Sequence, residues 1–199
     1  MAAGLDCRIV LITGERQVGK STALTQSVAR LRNAGLQLSG LLTRRSGPHD
    51  LEVTELHTGA IYALTAPYTP GHTSPTRHFA MNAEAMLRSS RAMAAGFPTE
   101  IFILDELGPL ELVHQQGWVG AFELLHQETY RLAYIVVRPE LLGALVSRLP
   151  GTEFGVLRVT AANRDAIPDR LASLALSVSA SSQGRGVGFA MSSSKEGTR

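Results

Sequence analysis

The chain has 199 residues, of which 44% are hydrophobic and 18% charged, and these values are typical of one globular domain of ordinary size. The formal net charge of +2 is too small to indicate a nucleic-acid partner, even with a sequence pI near 9.0. No apolar run approaches the roughly 20 residues that span a bilayer, and the N-terminus lacks the segments of a signal peptide, so we expect a cytoplasmic protein without a membrane partner.

The first predicted strand leads directly into a phosphate-binding pattern. The apolar run Ile9–Ile12 is followed by residues 14–21, which fit G-x-x-x-x-G-K-[S/T]. The backbone amides of such a loop, together with the start of the next helix, bind the phosphates of a nucleotide. The helix is predicted by an apolar stripe and a terminating glycine, namely Leu24, Val28, Leu31 and Gly35.

The chemistry of this loop fits a Mg-nucleotide ligand. Gly14 and Gly19 permit a tight turn around the phosphates. Lys20, which we also expect to act in catalysis, brings a positive charge to the β- and γ-phosphates, and Ser21 offers a hydroxyl to Mg²⁺. The alternative is a chance match in an ordinary strand-to-helix turn. The predicted nucleotide-binding segment is made of Gly14, Glu15, Arg16, Gln17, Val18, Gly19, Lys20, Ser21 and Thr22.

A strand, a hairpin and a helix are predicted in the next part of the chain. The strand is expected at residues 37–43 and the hairpin at residues 51–64. Residues 67–76 form a predicted surface connection, and the alternative is a kinase lid that closes over an acceptor, with Arg77 behind it. Asn82 is expected to cap the next helix.

Two adjacent acids end the following apolar strand. Residues Ile101–Leu104 are all apolar, as in a strand buried on both faces, and Asp105 and Glu106 come directly after them. In a Mg-nucleotide enzyme, one carboxylate positions Mg²⁺ and a second orients and deprotonates the attacking water. We assign the metal role to Asp105 and the catalytic role to Glu106. The alternative is a strand that simply ends in solvent.

Strands and helices alternate through the rest of the chain. Helical spacing occurs at residues 118–125 and 141–149, strands are expected at 133–137 and 156–159, and Pro168 opens a last helix. This alternation predicts an α/β fold of three layers. A mostly parallel sheet, with a β-hairpin insertion, is covered by helices on both faces.

Two polar residues that follow these strands are further site candidates. Arg138 comes after a parallel strand, where it either stabilises γ-phosphate charge in catalysis or caps the strand end in solvent. Asn163 comes after the last strand, where it either touches the base of the nucleotide or holds its own loop. Both pairs of alternatives stay open on the sequence.

The composition changes near the C-terminus. From Ser177 onward the chain is rich in serine and glycine and has few large apolar residues, so its burial cannot offset the entropy of ordering it. We predict a P-loop domain over residues 1–176 and a disordered tail over residues 177–199. The alternative is a tail that binds a partner.

Several of these segments together resemble one family. The chain is similar, over about residues 7–175, to the small P-loop nucleoside-triphosphatase family that includes the cancer-related nucleoside-triphosphatase and its archaeal and bacterial relatives. The segments beyond the phosphate loop are more specific than that loop, which occurs in many unrelated enzymes. The resemblance rests on Gly14, Gly19, Lys20 and Ser21, on Gly40–Thr43, on Asp105–Gly108 with Glu111 and Leu112, on Val159-Thr160, and on Asn163-Arg164-Asp165.

The resemblance implies a P-loop NTPase fold and a slow, Mg²⁺-dependent hydrolysis of ATP, GTP and other nucleoside triphosphates to diphosphates. It also implies that the phosphate loop and residues 101–108, including Gly108, line the nucleotide site. The family usually has a pair such as Pro-Gly where this chain has Arg16-Gln17, and a basic residue where it has Pro109. These departures concern rate and nucleotide preference more than the fold.

Hydrolysis is the reaction that the two acids favour, because a kinase must exclude the water that a carboxylate beside the metal residue would activate. Two other classes remain open on the sequence. One is a phosphotransferase acting on a small molecule or a nucleic-acid end. The other is a nucleotide-dependent switch whose slow turnover times a protein interaction.

Overall fold

Seven strands form one mixed sheet in the computed structural model, which describes residues 7–67, 79–149, 151 and 153–183. The spatial order is β4-β3-β2-β5-β6-β1-β7. Neighbours from β2 to β7 in that order run parallel, and β3 and β4 form an antiparallel hairpin on the β2 edge. The strands are β1 (Ile9–Thr13), β2 (Leu38–Arg45), β3 (Leu51–Glu55), β4 (Ile61–Ala63), β5 (Ile101–Leu107), β6 (Leu132–Val137) and β7 (Phe154–Arg158).

Helices cover both faces of the sheet, which gives the predicted three layers. One face packs on α1 and α6, and the other packs mainly on α2 and α4. The helices in the described residues are α1 (Lys20–Asn33), α2 (Ala83–Ala95), α3 (Pro109–Leu112), α4 (Ala121–Gln127), α5 (Leu142–Val146) and α6 (Ile167–Gln183), with 3-10 turns at Pro139–Leu141 and Arg164–Ala166.

The elements form where the apolar patterns place them. Every residue of β1 and of β6 is buried, as expected for strands covered on both faces. The predicted apolar stripe of α1 is buried against the sheet, with Leu24 and Leu31 fully inaccessible. Asn82 caps α2, because its Oδ1 accepts a hydrogen bond of 3.0 Å from the backbone N–H of Ala85.

Most predicted boundaries differ from the structure by a few residues, and three of the differences change how a residue or segment is placed. Strand β5 continues to Leu107, where it still pairs with Val137 of β6, so the two acids lie inside the strand and not beyond its end. Helix α4 starts at Ala121, and Trp118 precedes it as a buried residue of the core. Helix α6 extends to Gln183, past the predicted domain boundary at residue 176.

Two predictions fall largely on residues outside the described ranges. The connection at 67–76, with its alternative as a lid, is described only at Pro67, and of the predicted tail only residues 177–183 are described. No helix in the described ranges is both long enough and apolar enough to cross a bilayer.

The sheet order decides where the site forms. Strands β5, β6, β1 and β7 are neighbours and parallel, so their carboxyl ends meet at one edge. In open α/β sheets, ligands bind in the crevice outside these ends. The phosphate loop follows β1, and the segment with the two acids ends β5.

Candidate active site

The phosphate loop joins β1 to α1 in a backbone conformation that needs glycine. Gly14 has φ 151°, and a Cβ on it would lie 2.4 Å from the carbonyl oxygen of Val159. Gly19 has φ 111° and immediately precedes α1. Both residues therefore occupy backbone positions that a side chain would strain or obstruct. The loop between them leads into the N-terminus of a 14-residue helix. The backbone amides of the loop and the positive end of the helix favour a bound anion there.

Lys20 is folded against the loop that precedes it. Its side chain is almost fully buried, and Nζ donates to the carbonyl oxygens of Gly14 at 2.6 Å and Glu15 at 2.8 Å. Burial lowers the pKa of Lys20, while the nearby charges of Glu106 and Asp105 oppose that shift. The ammonium group thus lies between the phosphate loop and the two acids of β5.

Ser21 and Asp105 meet at the centre of the site. Ser21 Oγ donates to Asp105 Oδ1 at 3.1 Å, although β6 lies between the strands that lead to the two residues. Asp105 is 1% exposed, and its Oδ2 makes no hydrogen bond of normal geometry to any described residue. Burial raises the pKa of Asp105 to about 7, the Ser21 hydroxyl opposes this shift, and the charge of Glu106 adds to it.

These oxygen atoms fit the chemistry of a Mg²⁺ ligand set. Magnesium prefers hard oxygen ligands and is usually held by one or two protein groups together with water and phosphate oxygens. The hydroxyl of Ser21 and the carboxylate of Asp105 supply such groups side by side. The buried Oδ2 can accept a further polar partner.

Glu106 and Arg138 form a close ion pair at the mouth of the site. Arg138 immediately follows β6, and its Nε donates to Glu106 Oε1 at 2.5 Å. Their side chains are 27% and 29% exposed, so both can reach a ligand as well as each other. The structure therefore places Arg138 beside the predicted catalytic carboxylate, and its charge faces the site.

The rim of the phosphate loop is exposed and carries Arg16 and Gln17. Gln17 has φ 58°, a left-handed conformation that favours glycine. Arg16 Nη2 lies 3.9 Å from Glu140 Oε1 with its side chain 71% exposed. Glu15 makes a similarly open ion pair with Arg158 at 3.9 Å.

Asn163 uses both ends of its amide within its own loop. Its Oδ1 accepts from the backbone N–H of Thr160 at 2.8 Å, and its Nδ2 donates to the carbonyl oxygen of Arg158 at 2.9 Å. This geometry favours the loop-holding alternative for Asn163. The neighbouring Arg164 lies across Gly19, since its Cδ is 3.5 Å from the position that a Cβ on Gly19 would take.

Glu111 is a buried structural residue in the segment that follows β5, and its pattern in the sequence predicted no role for it. It is 3% exposed, and its carboxylate accepts from the backbone N–H of Gly108 at 3.1 Å and of Trp118 at 3.1 Å. Burial raises its pKa. A Cβ on Gly108 would lie 3.9 Å from both Glu106 Oε1 and Glu111 Oε2, so Glu111 holds the loop that lies next to the predicted catalytic carboxylate. An acid three residues after Gly108, at the start of a helix, is a recognisable capping pattern.

Comparison with known proteins identifies the family. A family model described as NTPase matches residues 9–172. The chain belongs to this NTPase family. Membership confirms the resemblance inferred from the phosphate loop and the Asp105–Gly108 segment.

Individual relatives are similar to the chain along most of their length. The chain is 26% identical over 168 residues to a protein named nucleoside-triphosphatase THEP1 from Methanosarcina acetivorans. The matched region covers 81% of this chain and 93% of the relative. A protein of the same name from Thermofilum pendens is 25% identical, with 81% and 92% covered. The crystal structure of THEP1 from the hyperthermophile Aquifex aeolicus superposes with a TM-score of 0.59 at 22% identity, covering 83% of this chain and 98% of that one. This likeness confirms the predicted P-loop NTPase fold.

Proposed function

We propose that this chain hydrolyses nucleoside triphosphates such as ATP and GTP to the diphosphate and inorganic phosphate, with Mg²⁺ as cofactor. The observation that carries the proposal is the contact of Ser21 with Asp105, which joins the phosphate loop to the acids of β5. The names of the relatives, nucleoside-triphosphatases, support the same reaction.

Phosphate binding in this proposal uses the backbone amides between Gly14 and Thr22 and the positive end of α1. Lys20 exchanges its contacts with the loop carbonyls for the oxygens of the β- and γ-phosphates. Ser21 and Asp105 hold Mg²⁺, which when bound neutralises charge on the phosphates. The triphosphate is thereby fixed with its γ-phosphate toward the ends of β5 and β6.

Hydrolysis requires a base and a positive group at that end. The oxygen of a water attacks the γ-phosphorus while Glu106 accepts its proton, and the bond from the γ-phosphorus to the bridging oxygen breaks in favour of the diphosphate. Arg138 stabilises the charge that spreads over the γ-phosphoryl oxygens. Its present partner is the Glu106 carboxylate, so the same ion pair also orients the base.

Phosphate release from ATP, GTP, CTP and UTP, with and without Mg²⁺, tests this proposal directly. Glu106→Gln should retain Mg-ATP binding and lose most of the turnover, while Lys20→Ala should weaken binding as well. Glu123→Gln, an exposed residue on α4, is the matched control and should behave as the wild type. Unchanged phosphate release from Glu106→Gln would remove Glu106 from the role of base. Product that forms only when an acceptor is added would indicate a phosphotransferase instead.

A further inference from the structure

The strand order gives the bound triphosphate a direction, if the proposed function holds. Ser21 contacts Asp105 on the side of β1 that faces β6 and β5, and Glu106 and Arg138 lie on that same side. The γ-phosphate belongs there. Strand β7 flanks β1 on the opposite side, so the nucleoside leaves the loop toward the segment that follows β7.

Arg164 lies in the segment that follows β7, beside the end of the phosphate loop. Its backbone is fixed by a 3.0 Å hydrogen bond from its N–H to the carbonyl oxygen of Thr160. Its hydrocarbon stem packs over Gly19, with Cδ and Cβ at 3.5 and 3.9 Å from the position of an added Cβ. The stem is therefore held beside the N-terminus of α1, where the phosphate loop ends.

The guanidinium of Arg164 is held only weakly. The Arg164 side chain is 51% exposed, and its ion pair is with Asp165 at 3.7 Å, a side chain that is itself 97% exposed. An exposed ion pair of this kind contributes little to stability and does not fix the guanidinium plane. A ligand beside Gly19 can therefore reorient this group at small cost.

We propose that the guanidinium plane of Arg164 is the surface on which the nucleobase stacks. A guanidinium is flat and can stack in parallel on an aromatic ring, whereas a lysine ammonium is a point charge without a plane. Stacking tolerates any base, because every base has a π-face. The Oδ1 and Nδ2 atoms of the neighbouring Asn163 both form hydrogen bonds within their own loop. In that arrangement Asn163 offers no base-specific hydrogen bond.

Titration calorimetry with two probes, Mg-ATP and Mg-tripolyphosphate, separates base from phosphate contacts. The measurements use Glu106→Gln as the background so that ATP is not consumed. Arg164→Ala should weaken Mg-ATP binding by about 5- to 30-fold, as expected for loss of one stacking partner. The same change should alter the affinity for Mg-tripolyphosphate by less than about twofold, because that probe has no base.

Three further variants distinguish the plane from the charge. Arg164→Tyr keeps a flat surface without charge and should bind Mg-ATP within about threefold of the background protein. Arg164→Lys keeps the charge without the plane and should bind Mg-ATP more weakly than Arg164→Tyr. Arg170→Ala removes a similar exposed charge from α6 and should leave both affinities unchanged. Thermal melting of each variant checks that it is folded.

Two results would overturn the stacking role. Equal losses for both probes would show that Arg164 contacts phosphate, and unchanged Mg-ATP affinity in Arg164→Ala would show no contact at all. The readout is binding, so it does not depend on turnover. A wild-type protein that binds both probes but releases no phosphate would contradict the proposed hydrolysis while the stacking comparison stands. A protein that binds neither probe would overturn both.

Discussion

Asp105→Asn should stabilise the metal-free protein, and increasingly so as the pH rises. Asp105 is buried at 1% exposure, and burial raises the pKa of its carboxyl from the ordinary 3.8 to about 7. Between these two values the folded protein holds a proton that the unfolded chain has lost. The free energy of unfolding of the wild type therefore falls as the pH rises through this interval. Asparagine does not titrate, so the variant lacks this loss.

The magnitude follows from the difference between the two pKa values. A rise from 3.8 to about 7 is about 3 pH units, and each unit corresponds to about 1.36 kcal/mol. If the whole shift contributes, the free energy of unfolding of the wild type falls by about 4 kcal/mol relative to the variant. Relaxation of the protein around the charge reduces this difference, so we expect about 2–4 kcal/mol. The difference in stability between variant and wild type should grow up to about pH 7 and then level off, because Asp105 is then ionised in both states.

Urea denaturation of both proteins in EDTA, at steps from about pH 5 to about pH 8, measures this difference. Trp118 is the single tryptophan and is 3% exposed, so its fluorescence reports unfolding. Asp165→Asn, at a side chain that is 97% exposed, is the control and should show no such trend. A difference between Asp105→Asn and wild type that stays constant over this range, or shrinks as the pH rises, would refute the reasoning.

Three other residues give independent tests. Arg138→Ala should lower the rate of phosphate release by about 10³-fold and leave Mg-ATP binding intact. Arg138→Lys should restore only part of that rate. A rate for Arg138→Ala within a few-fold of wild type would contradict a role at the γ-phosphate. Gln17→Gly should raise the free energy of unfolding by about 1 kcal/mol in urea, because φ 58° favours glycine; a less stable variant would count against strain there. Glu111→Gln should lower the free energy of unfolding by about 1–3 kcal/mol, because the new amide NH₂ would face the N–H donor of either Gly108 or Trp118. An unchanged free energy of unfolding would show that the carboxylate is dispensable.

Much of the architecture could be predicted because its causes are local. Apolar runs with flanking turn residues determined where β1 and β6 lie, and the side chain of Asn82 determined where α2 begins. The phosphate loop was recognisable because its glycines and its lysine have fixed offsets. Roles that depend on partners far apart in the chain could not be predicted. The opposite charges of Arg138 and Glu106, for example, gave no indication that they pair across neighbouring strands.

The C-terminal helix shows how packing overrides composition. Ser177 and its neighbours predicted disorder, yet α6 continues to Gln183, and Ala175 and Ser179 are buried. Small residues on this face let α6 lie close to the sheet and α1, and tertiary contact stabilises a helix that composition alone disfavours. For the residues after Gln183, the disordered tail stays a prediction.

The sequence by itself determined the phosphate loop, the pair of acids, the alternation of strands and helices, and the family. Each of these is a pattern of neighbouring residues or of residues at a fixed spacing. Only the tertiary structure decided that Ser21 reaches Asp105 across an intervening strand and that Arg164 lies over Gly19. Strand order is set by burial of the whole sheet between two helical layers. This burial depends on segments that are distant in the chain, so no single segment predicts the strand order.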